Sequence, residues 1–380
     1  MIALMNKCFW RLVLAAGTAL VLAGCGNKET QEALQKATGL ENQKEYHDAN
    51  TVLVDALQAR EARIRADAGT PADQAATDAL VKKVQSDPEM LKMERAQIPL
   101  YLHLEKADLA SVVYSDILAG HPGDSVVYDT LQDKDPLIRI GAVQILGLAG
   151  KPDAIPALTG ATQDTDQDVR RAAAVALGTI RDPGTIAPLT AALKDSYWSV
   201  RSEAAEALGQ QHDPRAVKPL LDTVADSDSN VESSAETALL FLCKDPNAPA
   251  DDFAGRLDDP NPKIVMISAI CLVILKDPRA IPVLTKLIAS PDLTTRLEAL
   301  KGLGETGDPS VIPILRQTLK DPDVNMRGWS IIGLGRLKDQ ASLAALQAIA
   351  ADAREPASIR AAAGISVGKI TGQTPAPDGP

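Results

Sequence analysis

Aromatic rings are scarce in this chain. Only 3% of its 380 residues are Phe, Trp or Tyr, so a core has to be assembled from Ala, Leu, Ile and Val, which favours close helix–helix packing. Four histidines, His47, His103, His121 and His212, form no His-x-x-x-His pair and none stands beside a Glu. A histidine–carboxylate metal site is therefore not expected. Basic residues are in deficit, 39 against 50 acidic, for a net charge of −11, which leaves no electrostatic footprint for nucleic acid or an anionic lipid surface. No phosphate loop or nucleophile elbow occurs in a strand–turn–helix setting, so no cofactor is expected and the chain does not read as an enzyme. Long apolar runs are also missing. The longest internal one, "IVMISAICLVIL" at 264–275, has 12 residues, short of the ~20 a spanning helix needs, and is expected to be a helix buried between neighbours.

What is present begins at the amino end. "MNKCFWRLVLAAGTALVLAGC" carries Lys7 and Arg11, then an apolar run from Leu12 that is too short to span a bilayer. It reads as an export signal over 1–24. Leu22-Ala23-Gly24-Cys25 resembles a bacterial lipobox. The resemblance implies cleavage before Cys25 and diacylglyceryl attachment to its thiol, with stable anchoring from two or more acyl chains. Loss of Lys7 and Arg11 leaves 37 basic residues against 50 acidic, a charge of −13. Gly26 follows Cys25, a pattern that in enterobacteria implies the outer membrane, facing the periplasm. Residues 25–40 are expected to be a linker and lipid-anchored N-terminus.

A repeat occupies the rest. Its anchors are Ile138, Val169, Val200, Val231, Ile264, Thr295, Met326 and Ile359, spaced by 31 residues with two steps of 33. Arg follows the anchor at Arg139, Arg170, Arg201, Arg296, Arg327 and Arg360, but Glu232 and Val265 interrupt the column. Position +4 is always Ala or Ser, and position +8 is Leu in seven copies and Val367 in the last. Anchor, +4 and +8 share one helical face, and small residues there admit a close neighbour. Position +9 is Gly in six copies and precedes an Asp-Pro, as at Asp182-Pro183 and Asp213-Pro214. Together these are expected to end the first helix and turn the chain. Pro188, Pro219, Pro282 and Pro313 fit the first turn of a second helix. Each copy is thus two short antiparallel helices that cannot bury their apolar face without stacking on neighbours.

These columns resemble the HEAT family, in its short PBS-lyase HEAT-like form, over about 128–371. The resemblance implies an all-α fold: a right-handed α-solenoid of about eight helix pairs over 126–371, with second helices lining the concave face. HEAT-fold iron hydroxylases hold their metal with His-Glu pairs, which this chain lacks. Relatives that give the repeats their name include bilin lyases, whose cytoplasmic substrates an exported protein would not meet.

Two acidic columns precede the arginines. Four before lie Asp135, Asp166, Tyr197, Asp228, Asn261, Asp292 and Asp323, with the place and chemistry of helix N-caps. Six before lie Asp133, Asp164, Asp195, Asp226, Asp259, Ser290 and Asp321, expected to bond loop amides and an Arg of their own or the next repeat. The residues that look reactive therefore read as a ladder that sets stacking register: Asp133, Arg139, Asp164, Arg170, Asp195, Arg201, Arg296, Asp321, Arg327 and Arg360.

Outside the ladder, 41–125 reads as helical, either a spacer or a binding module. Its Tyr101, Ala110, Tyr114 and Pro122 resemble spaced positions of a tetratricopeptide unit. Residues 372–380 are Pro/Gly-rich and are expected to be disordered. Cys271 falls at the small packing position +7 and Cys243 at the turn position +12, where Arg181, His212, Lys276 and Lys338 stand elsewhere. About five residues of axial offset, ~7.5 Å, would strain a bridge, so two free thiols are expected. The long acidic connection 243–263 is either a bend or a cation or partner site. Tyr197, Trp198 and Trp329 are candidate partner-binding anchors, Trp329 being the one expected at an exposed edge. The reading is a membrane-anchored scaffold or adaptor for other envelope proteins, with a passive spacer as the alternative.

Overall fold

The computed structural model describes residues 26–42, 46–68, 77–79, 87–103, 110, 113–114 and 125–372. The export segment 1–24, Cys25, Pro122 and the tail 373–380 lie outside the described residues. Every regular element among the described residues is helical, and the chain divides into two compact units, residues 1–149 and 150–380.

The first unit contains α1 (Gly26–Asn42), α2 (Tyr46–Ala68), α3 (Pro88–His103), α4 (Val126–Thr130) and α5 (Pro136–Ala149). The residues expected to be a linker, 25–40, are therefore helical from 26 onward. Ala37 of α1 packs with Ala49 and Leu53 of α2 and Met93 of α3 in one buried cluster, and burying that face is what holds the segment helical. Asp87 joins α2 to α3 by two means. It accepts the N–H of Met90 at 3.0 Å as a cap and takes the Arg60 fork at 3.2 and 2.8 Å. Tyr101, Ala110 and Tyr114 are buried, and burial raises the Tyr101 hydroxyl pKa above its ordinary value.

In the second unit the first helices of successive repeats are α7 (Gln167–Thr179), α9 (Trp198–Gln210), α11 (Ser229–Leu242), α13 (Pro262–Ile274), α15 (Leu293–Glu305), α17 (Val324–Arg336) and α19 (Ala357–Thr371). The second helices are α6 (Ile155–Ala161), α8 (Ile186–Ala192), α10 (Val217–Thr223), α12 (Ala250–Ala254), α14 (Ala280–Leu287), α16 (Ile312–Thr318) and α18 (Leu343–Ala351). This is the all-α solenoid pattern expected. Anchor and +4 residues are buried, as at Val200 and Ala204 or Val231 and Ala235; only the anchor Thr295 is half-exposed. Asp166, Asp228, Asn261, Asp292 and Asp323 cap their first helices, each accepting an N–H two or three residues on. The Asp-Pro pairs do more than turn the chain. Asp182, Asp213 and Asp308 each accept the N–H two residues on and open a single 3₁₀ turn that leads into the second helix.

Two column assignments are corrected. The +9 glycines do not terminate helices: Gly178, Gly209, Gly304 and Gly335 all lie inside them. A Cβ on Gly209 would meet Ala238 Cα at 2.9 Å, and one on Gly178 would meet Ala207 Cβ at 2.8 Å. Glycine is there to let two helix backbones meet. The left-handed residue that ends the helix comes three places later, at Gly150, His212, Lys276, Gly307 and Lys338.

The second correction concerns Cys243, which shares that position. Its register predicts an exposed turn, yet the residue is buried. Its φ of −72° keeps the helical hand, so its side chain turns back under the repeat, where a left-handed residue would point outward.

Candidate functional site

Ladder rungs form at two joints, but their polarity corrects the expectation that each acid would bond an Arg of its own or the next repeat. Asp195 and Asp226 each accept the Arg fork of the preceding repeat, while the Arg of their own repeat, where there is one, takes the backbone carbonyl. Arg170 Nε and Nη2 donate to Asp195 Oδ2 and Oδ1 at 2.6 and 3.0 Å, and its Nη1 donates to the Asp164 carbonyl at 2.9 Å. Arg201 repeats the arrangement with Asp226, at 2.7 Å for both bonds, and with the Asp195 carbonyl at 2.8 Å. Arg139 and Arg327 likewise hold the carbonyls of Asp133 and Asp321, each at 2.9 Å. Burial works against the ionised form of Asp195, but the Arg170 hydrogen bond and the Tyr197 N–H leave its pKa below the ordinary carboxylate value. The Arg201 fork lowers Asp226 as its leading cause.

Where the repeat breaks, other groups take over the rung. Arg327 reaches Glu355 at 2.8 Å, an acid one place off the column. At the joint of α11 and α13, Glu232 replaces the arginine and pairs with Lys263 at 2.6 Å, so the charges are exchanged. Asp259, left without an arginine from α11, takes Arg256 of its own connection at 2.9 Å. Arg256 also pairs with Asp222. Val265 fills the arginine column of α13 and is buried. Arg296 holds the Ser290 and Pro291 carbonyls at 3.0 and 3.1 Å; no hydrogen bond joins it to Asp321 among the described residues, so that rung of the expected ladder is not formed. Arg360 carries a buried Nε without a hydrogen-bond partner.

Three acids of 243–263 pair with internal cations, Asp259 with Arg256, Asp251 with Arg279 at 2.8 Å and Asp252 with Lys218 at 3.2 Å. Among the described residues no group of three His, Cys, Asp or Glu converges to hold a metal ion.

The aromatic anchors separate. Tyr197 and Trp198 are each 48% exposed. Tyr197 stands at the N-cap of α9 and makes no side-chain cap bond there, whereas α7, α11, α13, α15 and α17 all have one. The Arg170 guanidinium lies 5.4 Å from the Tyr197 ring centroid and holds it in place. Trp329 is only half-exposed, with Lys301 Nζ 5.5 Å from its ring. The expectation that it is the more exposed anchor is therefore corrected: its edge position lies against α15, and the neighbour's lysine covers it.

The surface also holds a feature that the repeat columns do not announce. An open groove of about 420 Å³ runs between α9 and α11, lined among others by Glu206, Gln210, Ser234, Thr237 and Phe241. Ser234 shares a 2.8 Å hydrogen bond with Ser202 and donates to Glu206 at 3.2 Å. Phe241 is 45% exposed and lies 4.8 Å from the His212 ring, centroid to centroid. The sequence gives no clear signal for it: Phe241 is at anchor +10, a column that holds Gln210, Glu305 and Arg336 but also Leu148 and Ile274.

The HEAT-repeat profile matches residues 125–208, 160–240 and 286–368. No curated protein matches the chain in sequence. Among solved structures, the karyopherin Kap121p bound to the extreme C-terminus of the protein phosphatase Cdc14p superposes with a TM-score of 0.57 at 12% identity, covering 92% of this chain and 46% of the karyopherin. The Escherichia coli protein YibA gives 0.44 at 22% identity, over 66% of this chain and 92% of its own. The CpcE–CpcF phycocyanin lyase of Nostoc sp. PCC7120 gives 0.30 at 20%, over 65% and 94%. The karyopherin likeness concerns the fold alone. The profile covers more than half of the chain, with seven of the eight phased repeat anchors beneath it, and the chain belongs to the HEAT-repeat family.

Proposed function

We propose that this protein is a non-enzymatic, protein-binding scaffold of the bacterial envelope, held to the membrane through an acylated Cys25, with other envelope proteins as its partners. The observation that carries the binding role is the start of α9. Every first helix from α7 to α17 except this one begins with a capping Asp or Asn. Here the cap, worth about 1 kcal/mol, is given up for Tyr197, whose ring is held by Arg170 beside an equally exposed Trp198. Stability surrendered for a rigid, exposed aromatic pair is the mark of an interaction site. A passive spacer has no use for that exchange.

Tyr197→Asp restores the cap and removes the ring. It is expected to raise stability by about 0.5–1 kcal/mol while weakening crosslinked capture of envelope proteins from detergent-solubilised membranes. A variant that gains stability and captures its partners undiminished would show that the aromatic pair binds nothing. Trp329→Ala, at a half-covered ring, is expected to weaken capture less.

The anchor rests on the Leu22–Cys25 motif, and no helix among the described residues is long and apolar enough to cross a membrane. Cys25→Ala is expected to abolish the acyl mass on the N-terminal peptide and move the protein from the membrane to the soluble fraction. Retention in the membrane without an acyl group would defeat the address.

A further inference from the structure

Outside the export segment and Cys25, the chain has two cysteines, Cys243 and Cys271. Both are unbridged and buried. They belong to successive first helices, Cys243 at the end of α11 and Cys271 in the body of α13. The offset expected from the repeat spacing, which would strain a bridge, does not occur. The 33-residue step at this joint and the helical hand of Cys243 bring both side chains to the same turn of α11. Cys271 Sγ donates to the Leu239 carbonyl at 3.8 Å, and Cys243 N–H donates to that same oxygen at 2.9 Å. Cys243 Sγ donates to the next carbonyl, Leu240, at 3.5 Å. The two thiols are in contact, and each perturbs the other. The hydrogen bond from Cys271 lowers the Cys243 pKa below the ordinary thiol value. The same bond, with burial, pushes Cys271 above it.

Their place in the array is specific. At this joint Glu232 stands in the arginine column. The two joints before it, α7–α9 and α9–α11, are closed by two-pronged Arg–Asp rungs, Arg170–Asp195 and Arg201–Asp226. Here the pairing is a single exposed-side contact, Lys263 with Glu232, and α13 packs less extensively on α11 than α9 does. At this joint, where the Arg–Asp rung gives way to a charge-exchanged pair, the two thiols lie side by side.

We infer that Cys243 and Cys271 are a redox site that closes to a disulfide across the joint of repeats four and five, with Cys243 as the attacking sulfur. The oxidant is another disulfide, of a small thiol or of a thiol–disulfide exchange protein. Cys243 attacks one sulfur of that disulfide, its S–S bond breaks, and one thiolate leaves. Cys271 gives its proton to solvent and attacks the Cys243 sulfur of the mixed disulfide, expelling the second thiolate. The pair loses two hydrogens and two electrons, and the oxidant is reduced to two thiols. The order follows from position. Cys243 ends a helix and is followed by the exposed turn of Lys244 and Asp245, so a local opening of that end uncovers it. Cys271 sits in the body of an apolar helix and is reached only through Cys243.

The test uses the purified full-length chain in glutathione buffers of increasing oxidised fraction, with residual thiols alkylated after unfolding. Tryptic mapping is expected to show the peptide ending at Lys244 joined to the peptide ending at Lys276, two hydrogens lighter than the pair. The species should grow with the oxidised fraction and vanish on reduction. Cys271→Ser is expected to trap glutathione on Cys243, at a rate about tenfold above that for glutathione on Cys271 in Cys243→Ser. Recovery of both thiols fully alkylated at every ratio, or of glutathione on each without the joined peptides, overturns the site. Because the wild-type chain supplies that readout, a variant that misfolds does not decide it. Equal trapping in the two variants, with the bridge intact in the wild type, overturns the assigned order.

Discussion

Valine at position 209 is expected to destabilise the array by about 3 kcal/mol or more and to divide its unfolding into two steps. Gly209 lies in the last turn of α9, against Ala238 of α11. A bare Cβ there would stand 2.7 Å from Ala238 Cβ and 2.9 Å from its Cα. The second of these is backbone and cannot swing away. Relief requires the two helices to separate, and separation removes the packing of Ala205, Leu208, Ala235 and Leu239 along the same seam, all of them buried. A repeat array is cooperative only through the interfaces of neighbouring repeats, so a damaged α9–α11 joint uncouples the repeats on its amino-terminal side from those on its carboxyl-terminal side. Urea unfolding followed by circular dichroism should show a lower midpoint and a shallower or biphasic curve. Gly364→Ala in α19 is the control: no heavy atom lies within 4 Å of its Cβ position, and it should gain about 0.5–1 kcal/mol from helix propensity. If the two variants behaved alike, the +9 glycines would not be contact glycines.

That glycine also marks how far the sequence can be read. Helix count, buried face and caps were legible because each depends on residues near one another in the chain. Asp166, three before Val169, is already an N-cap in outline, and Val169, Ala173 and Leu177 already form a stripe. What was not legible depends on the neighbouring repeat. A glycine near a helix end fits both a left-handed terminator and a backbone contact, and only the adjacent Ala238 or Ala207 distinguishes them. The ladder's polarity was hidden in the same way, since an acid six before its own Arg is equally placed for the Arg of the repeat before. Cys243 shares its register position with His212 and Lys276, yet its helical φ places it in the core.

The candidate site was legible only where a column is broken. Tyr197 stands in a cap column of Asp and Asn, so it could be seen as an exception, whereas the column of Phe241 also holds Leu148 and Ile274 and marks none. Trp329 stands in a column that varies, and a varying column does not say whether a neighbour's lysine covers the ring. The groove between α9 and α11 could not be read at all, because it is bounded by two helices whose separation is set by glycine and alanine contacts. On the function proposed above, partner binding sits where the repeat is given up, while residues that repeat, such as Arg170 and Arg201, join neighbouring repeats.

Removal of the Arg201 side chain tests that division from the structural side. Arg201→Ala is expected to lower stability by about 2–3 kcal/mol at neutral pH. Its fork is the rung from α9 to Asp226, and its third nitrogen satisfies the Asp195 and Ser196 carbonyls of its own loop. The two side chains are only 14% and 13% exposed, so water does not replace the lost partner freely. The pH dependence identifies the cause. Asp226 has a depressed pKa in the folded protein, chiefly because of Arg201, so it binds its proton more weakly folded than unfolded. Its contribution is complete above the ordinary carboxylate value near ~3.9 and is lost as pH falls through the folded value. The gap between wild type and Arg201→Ala should therefore be widest at pH 7 and should shrink below about pH 4. Arg201→Lys, which keeps one charge but not the fork, should recover less than half of it. A gap of constant size down to pH 3 would mean that the arginine serves by packing its stem, and that the carboxylate column orders the loop amides alone.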